Sequence, residues 1–262
     1  MCIAIYKSKT GTITRKRLED AYNANPDGCG IMWSDGILHA EKGCYDFNKF
    51  CSLYSAVAQS ADTDIIIHFR TASSGNISDE RCHPFFLNND LAFVENGNLF
   101  EFSNFFAKWQ DDKSDVQRFN EHILRRLPNN FLVNSYIRQA LDEYCRRSLT
   151  KMIFMDNSGK VDIINESAGE WVDGSWYSNG GIKNYTGYGY SGAYCYNATD
   201  VRHKGGRVNN RLFPLTRRGN WKKCSKCDGY FYKLKEDVCL DCGVFKNLLK
   251  YCADESLLKT GN

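Results

Sequence analysis

The sequence predicts an α+β fold of layered sheets and helices, followed by a small cysteine module. Three observations lead there. Strand patterns come in groups and amphipathic helices in pairs, so no regular strand–helix alternation runs along the chain. The 262 residues leave room for one large domain and a small one, with 42% hydrophobic and 25% charged residues, the balance of a globular chain. Two Cys-x-x-Cys pairs, Cys224 with Cys227 and Cys239 with Cys242, stand close together near the C-terminal end.

Taken in order, residues 2–6 (CIAIY) form a short apolar strand. Residues 14–24 read as a helix with Thr14 as a possible N-cap and Leu18, Ala21 and Tyr22 on one face. Residues 31–33 and 37–39 flank Ser34-Asp35-Gly36 as a hairpin. Residues 46–61 are a second amphipathic helix, with Phe47, Phe50, Leu53, Tyr54 and Val57 at helical spacing. Buried-strand patterns follow at 64–69 and 91–95. Ser114 opens the clearest helix, because Gln117 completes a capping box and Val116, Phe119, Ile123, Leu124 and Leu127 form its apolar stripe. A further helix spans 133–146. Residues 151–155 and 161–164, joined by Asp156-Asn157-Ser158-Gly159, close the domain as a hairpin.

Beyond 168 the composition changes. Five tyrosines and three glycines crowd residues 185–196, and residues 200–223 hold eight Lys/Arg against one acid. The expected division is a domain at 1–168, a Gly/Tyr-rich and basic linker or insertion at 169–219, the cysteine module at 220–247 and a tail at 248–262. Apolar runs such as Ile65-Ile66-Ile67 are far too short to span a bilayer, and Lys7, Lys9 and Arg15 to Arg17 interrupt any leader-like stretch. A cytoplasmic protein is expected. Its twelve cysteines then suggest metal binding or catalysis before disulfides.

Cys2 becomes the first residue if Met1 is removed, which places an α-amine on the same residue as a thiol. An α-amine with a pKa of about 7.7–8.0 can act as a general base for that nucleophile. A small buried cysteine of a core strand is the plainer alternative. Three later stretches bear on the choice. Asn25-Pro26-Asp27-Gly28-Cys29-Gly30 is a tight turn before a strand. His68-Phe69-Arg70-Thr71-Ala72-Ser73-Ser74-Gly75 places Arg70 at a strand end, either to take a carboxylate bidentately or to form a surface ion pair. Glu95-Asn96-Gly97 ends another strand, where Asn-Gly makes either a type I′ turn or a two-donor oxyanion hole.

In combination these stretches resemble the class II glutamine amidotransferases, which are N-terminal-nucleophile hydrolases. The elements that carry the resemblance are Cys2-Ile3-Ala4-Ile5, Asn25 to Gly30, His68 to Gly75, His83-Pro84-Phe85, Asn96-Gly97 and Ser114-Asp115-Val116-Gln117, in order over about residues 2–165. The resemblance implies a four-layer αββα sandwich and a hydrolase or transferase reaction passing through a thioester. Cys2 would attack the side-chain amide of glutamine, and Asn96 and Gly97 would stabilise the oxyanion. Arg70 would bind the α-carboxylate, and Asp115 the α-ammonium with Ser73 nearby. Asp115 can equally complement the helix dipole, and Ser114 cap the helix. Thr71, Ser74 and Glu95 depart from the family pattern, which often has an aromatic, a His and a His at these places. No synthase domain follows in this chain, so a separate ammonia-accepting partner enzyme is expected.

Cys224, Cys227, Cys239 and Cys242 have the donor set of a tetrahedral Zn²⁺ site, and their knuckles resemble those of zinc ribbons. So small a module relies on its metal for stability, which makes the zinc structural. The basic segment 202–223 suits contact with nucleic acid, or is a solvated linker. Two functions follow from this. One is a glutamine-hydrolysing amidotransferase subunit. The other is an inactive fold of the same type, binding nucleic acid or protein through its ribbon and basic linker.

Overall fold

The computed structural model describes residues 2–43, 45–60, 62–72, 77–97, 99, 113–179 and 247–252, and the backbone of 207–208, 221–223 and 230–232. Two antiparallel sheets are stacked face to face, with helices over the outer face of each. The first sheet contains β1 (Ile3–Lys7), β2 (Cys29–Ser34), β3 (Leu38–Gly43), β4 (Ile65–Phe69), β9 (Glu170–Val172) and β10 (Ser175–Tyr177), in the order β3-β2-β4-β1-β10-β9. The second contains β5 (Phe85–Asn88), β6 (Leu91–Asn96), β7 (Lys151–Asp156) and β8 (Val161–Ile164), in chain order.

Period-two alternation decides which residues face which layer. Along β1, Ile3 and Ile5 join the cluster formed with Leu18 and Ala21 of α1 (Arg15–Ala24) and Phe50, Tyr54 and Val57 of α2 (Phe47–Ser60). Ala4 points the other way. It meets Met32 and Ile66 of its own sheet and Ala92, Val94, Ile153 and Met155 of the other, in the cluster between the sheets. The outward residues Phe93, Met152 and Phe154 pack under Val116 and Phe119 of α3 (Asp115–His122) and under Ile137, Leu141 and Tyr144 of α4 (Ser135–Arg147). Three buried clusters thus separate successive layers.

Local chemistry starts the helices where the sequence predicts. Thr14 accepts a hydrogen bond from the Arg17 N–H, and Ser114 and Gln117 form a reciprocal capping box. Caps of this kind are worth about 1 kcal/mol each. The hairpin turn after β2 pairs Ser34 with Leu38. No disulfide joins the described cysteines, and no described helix is long and apolar enough to cross a membrane.

Three features differ from the sequence reading. Residues 85–88 form β5, paired with β6, where no strand is expected. β9 and β10 fall within the expected linker at 169–219, yet β10 pairs with β1 in the register Ile5 to Tyr177 and adds Trp176 to the inter-sheet core. Leu248 and Leu249, expected in the tail, are fully buried in the cluster under α3 and α4. In the two latter cases burial against the sheets and their helices overrides a weak local signal. The backbone also describes a small antiparallel sheet of β11 (Arg207–Val208), β12 (Trp221–Lys223) and β13 (Tyr230–Tyr232), in the order β11-β13-β12.

Candidate active site

The register of β4 against its neighbours gathers the first part of the site. Ile3 and Cys29 both sit opposite Phe69, from either side, so Cys2 and Gly28 lie at the same level as Arg70, just past the strand end. The Arg70 N–H donates to the Gly28 carbonyl, and the Asp27 N–H donates to the Arg70 carbonyl. The turn 25–30 is clamped further from its side chains. Asp27 accepts from the Ala72 N–H at 2.8 Å, and Asn25 accepts from the Thr71 hydroxyl at 2.8 Å. Thr71, one of the departures from the family pattern, thereby ties the Arg70 loop to the end of α1. Gly30 is required here, since a Cβ would lie 1.8 Å from the His83 carbonyl oxygen.

The Cys2 thiol lies against the same loop. It accepts from the Thr71 N–H at 3.3 Å and faces the Thr71 carbonyl at 3.4 Å. Burial pushes the thiol pKa up, the Thr71 hydrogen bond pulls it down, and the carboxyl of Glu95 pushes it up again. The net shift is upward. A thiol held protonated in this way needs a base before it can attack.

Arg70 is only 7% exposed, and its Nη1 has no hydrogen-bond partner. A guanidinium keeps its charge in proteins, so an unpaired one in the interior is costly until an anion meets it.

The second sheet brings the other half. Asn96, 1% exposed, ends β6 with its Nδ2 donating to the Ser178 hydroxyl at 2.6 Å and its Oδ1 without a partner. Gly97 follows against β7: a Cβ there would come within 2.4 Å of Thr150 Cα. The Thr150 carbonyl is in turn held by Asn165 Nδ2 at 2.8 Å. Ser178 and Asn179 also reach the nucleophile's strand. The Ala4 N–H donates to the Ser178 hydroxyl at 2.9 Å, and Asn179 Nδ2 donates to the Cys2 carbonyl at 3.0 Å. Sequence reasoning missed both residues, because they fall in the stretch expected to be a linker and follow a strand of three residues.

Glu95 is buried with Oε1 unpartnered. Burial raises its pKa well above the usual carboxylate range, the charge of Asp115 adds to that, and Lys151 opposes it. The environment therefore favours the protonated form of Glu95. Asp115 stands in the first turn of α3, its Oδ1 accepting from the Val116 N–H. The electrostatic coupling places Cys2, Glu95 and Asp115 in one neighbourhood.

Between the sheets, His68 Nε2 donates to the Glu95 carbonyl at 3.0 Å. Burial outweighs that bond and lowers its pKa to about 3, which leaves the imidazole neutral. His83 lies against it in a tilted contact at 4.2 Å between centroids, and burial lowers its pKa as well. Hydrogen bonds through Thr71 and Ser178 thus tie the ends of β1, β4 and β6 that carry Cys2, Arg70 and Asn96, Gly97 follows Asn96, and Asp115 opens α3. Ser73 and the four zinc-ligand candidates, Cys224, Cys227, Cys239 and Cys242, lie outside the described residues. Among the described residues no group of three or more His, Cys, Asp or Glu could hold a metal ion.

Two solved structures are similar to the chain. A glutamine phosphoribosylpyrophosphate amidotransferase from B. subtilis, complexed with ADP and GMP, aligns over 68% of this chain and 41% of its own, with 18% identity and a TM-score of 0.43. A glutamine aminotransferase class-II domain protein from silicibacter pomeroyi aligns over 60% of this chain and 73% of its own, with 18% identity and a TM-score of 0.33. The chain therefore spans less than half the length of the B. subtilis enzyme. No family model matches the sequence, and no curated protein does.

Proposed function

We propose that this chain, once Met1 is removed, hydrolyses glutamine to glutamate and ammonia through a γ-glutamyl thioester on Cys2, in a four-layer αββα fold of the N-terminal-nucleophile type. The observation that carries this reading is the buried side chain of Arg70, whose Nη1 has no hydrogen-bond partner, level with Cys2 at the strand end. An amino acid whose α-carboxylate meets Arg70 satisfies that charge, while its α-ammonium is taken by Asp115 with Ser73 beside it.

The chemistry then follows from the groups in place. The freed α-amine of Cys2 takes the thiol proton as sulfur bonds to the γ-carboxamide carbon. Asn96 and the Gly97 N–H stabilise the resulting oxyanion, each donor worth roughly 3 kcal/mol. Collapse breaks the C–N bond, the amine returns its proton to the departing nitrogen, and ammonia leaves. Water then adds to the thioester, releasing glutamate and restoring the thiol. Because burial keeps the thiol protonated, the reaction depends on that amine.

The remaining assignments are of the same kind. Cys224, Cys227, Cys239 and Cys242 hold a structural Zn²⁺: four thiolates suit the ion, and the paired strands β12 and β13 bracket the segment carrying the first two. The ion would supply folding stability there and takes no part in the reaction. A separate ammonia-accepting enzyme docks on this module, and the basic stretch 202–223 is its candidate nucleic-acid contact.

A diazoketone analogue of glutamine tests the central claim. Intact-mass measurement on chain lacking Met1 should show one adduct, absent from Cys2→Ala. Processed chain that gains no adduct would sink the enzyme reading and leave the binding module in its place.

A further inference from the structure

Ser178 has a hydroxyl with one proton to give and room to accept two. The Ala4 N–H donates to it at 2.9 Å, and the second close neighbour is the Asn96 amide at 2.6 Å. The two ends of an amide are nearly the same shape, so the hydrogen-bond inventory decides which end faces the hydroxyl. As placed in the structure, the Asn96 NH₂ donates to Ser178, so that the hydroxyl accepts twice and a buried carbonyl oxygen of Asn96 is left without a donor. With the carbonyl there instead, the Ser178 O–H donates to it while accepting from Ala4. The separation of 2.6 Å is ordinary for O–H···O and short for N–H···O. The unpartnered end of the amide is then a pair of N–H donors with nothing to bond, in a site where an anionic oxygen is to form.

We infer that Ser178 is a positioning residue: anchored by the Ala4 N–H, its hydroxyl holds the Asn96 carbonyl so that the Asn96 NH₂ is presented to the oxyanion. The same residue thereby ties the donor, carried on β6, to the nucleophile's own strand β1, two residues beyond Cys2. Asn179 supports the arrangement by fixing the Cys2 carbonyl at 3.0 Å, which limits rotation of the residue that must supply both thiol and amine. The inference rests on the glutamine-hydrolysis reading above and adds to it a residue that touches neither substrate nor reacting atoms.

A double-mutant cycle on the full, Met1-processed chain tests it, with glutamine hydrolysis as the readout. Ser178→Ala should lower kcat about tenfold with KM changed less than about threefold, since ground-state binding runs through Arg70 and Asp115. Asn96→Ala should cost about 100-fold. The double variant should be no slower than Asn96→Ala, because Ser178 acts only through that amide. Equal factors in both backgrounds would overturn the inference, as would an unchanged kcat in Ser178→Ala. Should Ser178→Ala fail to fold, Ser178→Thr and Ser178→Val keep the size matched and differ in the hydroxyl. Equal kcat in that pair overturns the inference too. Wild-type chain that neither hydrolyses glutamine nor takes up the analogue would instead defeat the underlying reading, which separates the two failures.

Discussion

Arg70 and Glu95 occupy corresponding places, one at the C-terminal end of a strand in each sheet, both buried and both with an unpartnered polar atom. They meet burial in opposite ways. The guanidinium keeps its charge, whereas burial and the neighbouring Asp115 push the carboxyl of Glu95 toward its protonated form. One wall of the site is therefore a fixed cation that suits a carboxylate. The other pairs Glu95 with Asp115, whose charge raises the pKa of Glu95. Two full carboxylates there would raise the Cys2 thiol further and repel each other.

The largest expected effect breaks the cationic wall. Replacing Arg70 by Met removes a charge partner worth about 2 kcal/mol or more in a buried pair, so KM for glutamine should rise at least about 30-fold. The melting temperature should hold or rise, because the free protein loses a buried charge with an unpartnered Nη1. A variant with unchanged KM would remove Arg70 from substrate binding.

Glu95→Gln probes the opposite wall. A carboxyl whose folded pKa is raised contributes stability at low pH, and that contribution is lost as pH climbs above the unfolded value near 4.5. Melting temperatures measured from pH 5 to 8 should therefore decline more steeply for wild type than for Glu95→Gln, with the gap widest at high pH. Parallel curves would mean that Glu95 is ionised in the folded chain.

The smallest effect sharpens the comparison from the acid side. His68 and His83 are buried neutral, so stability should fall as pH drops below 6.5, with the His68 share continuing toward about 3. His83→Phe, which keeps an aromatic beside Phe85, should shrink that loss. Between pH 4.5 and 6.5 the histidines and Glu95 pull in opposite directions. Chemical denaturation at several pH values would resolve their sum.

Much of this arrangement was legible in the sequence where the signal is local. Thr14 and Ser114 announce their helices because capping acts within one turn, and the apolar faces of α1 to α4 follow from helical period. The apolar runs of β1, β4 and β6 were equally readable. What stayed hidden depends on partners distant in sequence. β5 and the pair β9 and β10 are short strands whose pairing comes from β6 and β1, and nothing near Leu248 signals a core that otherwise ends at Ile164, far upstream. The site divides along the same line. Cys2, Arg70, Asn96, Gly97 and Asp115 belong to short motifs, whereas Ser178 and Asn179 matter only through what the fold brings against them.

The burial of Leu248 and Leu249 has a mechanical consequence. Residues 175–179 are bonded to β1 and Leu248 and Leu249 are packed beneath α3 and α4, so the chain is fixed to one body at two points far apart in sequence. A pull on the chain at those two points bears on both the strand beside Cys2 and the packing beneath α3, which begins with Asp115. Joining two fixed points costs only slowly more as the number of residues between them grows.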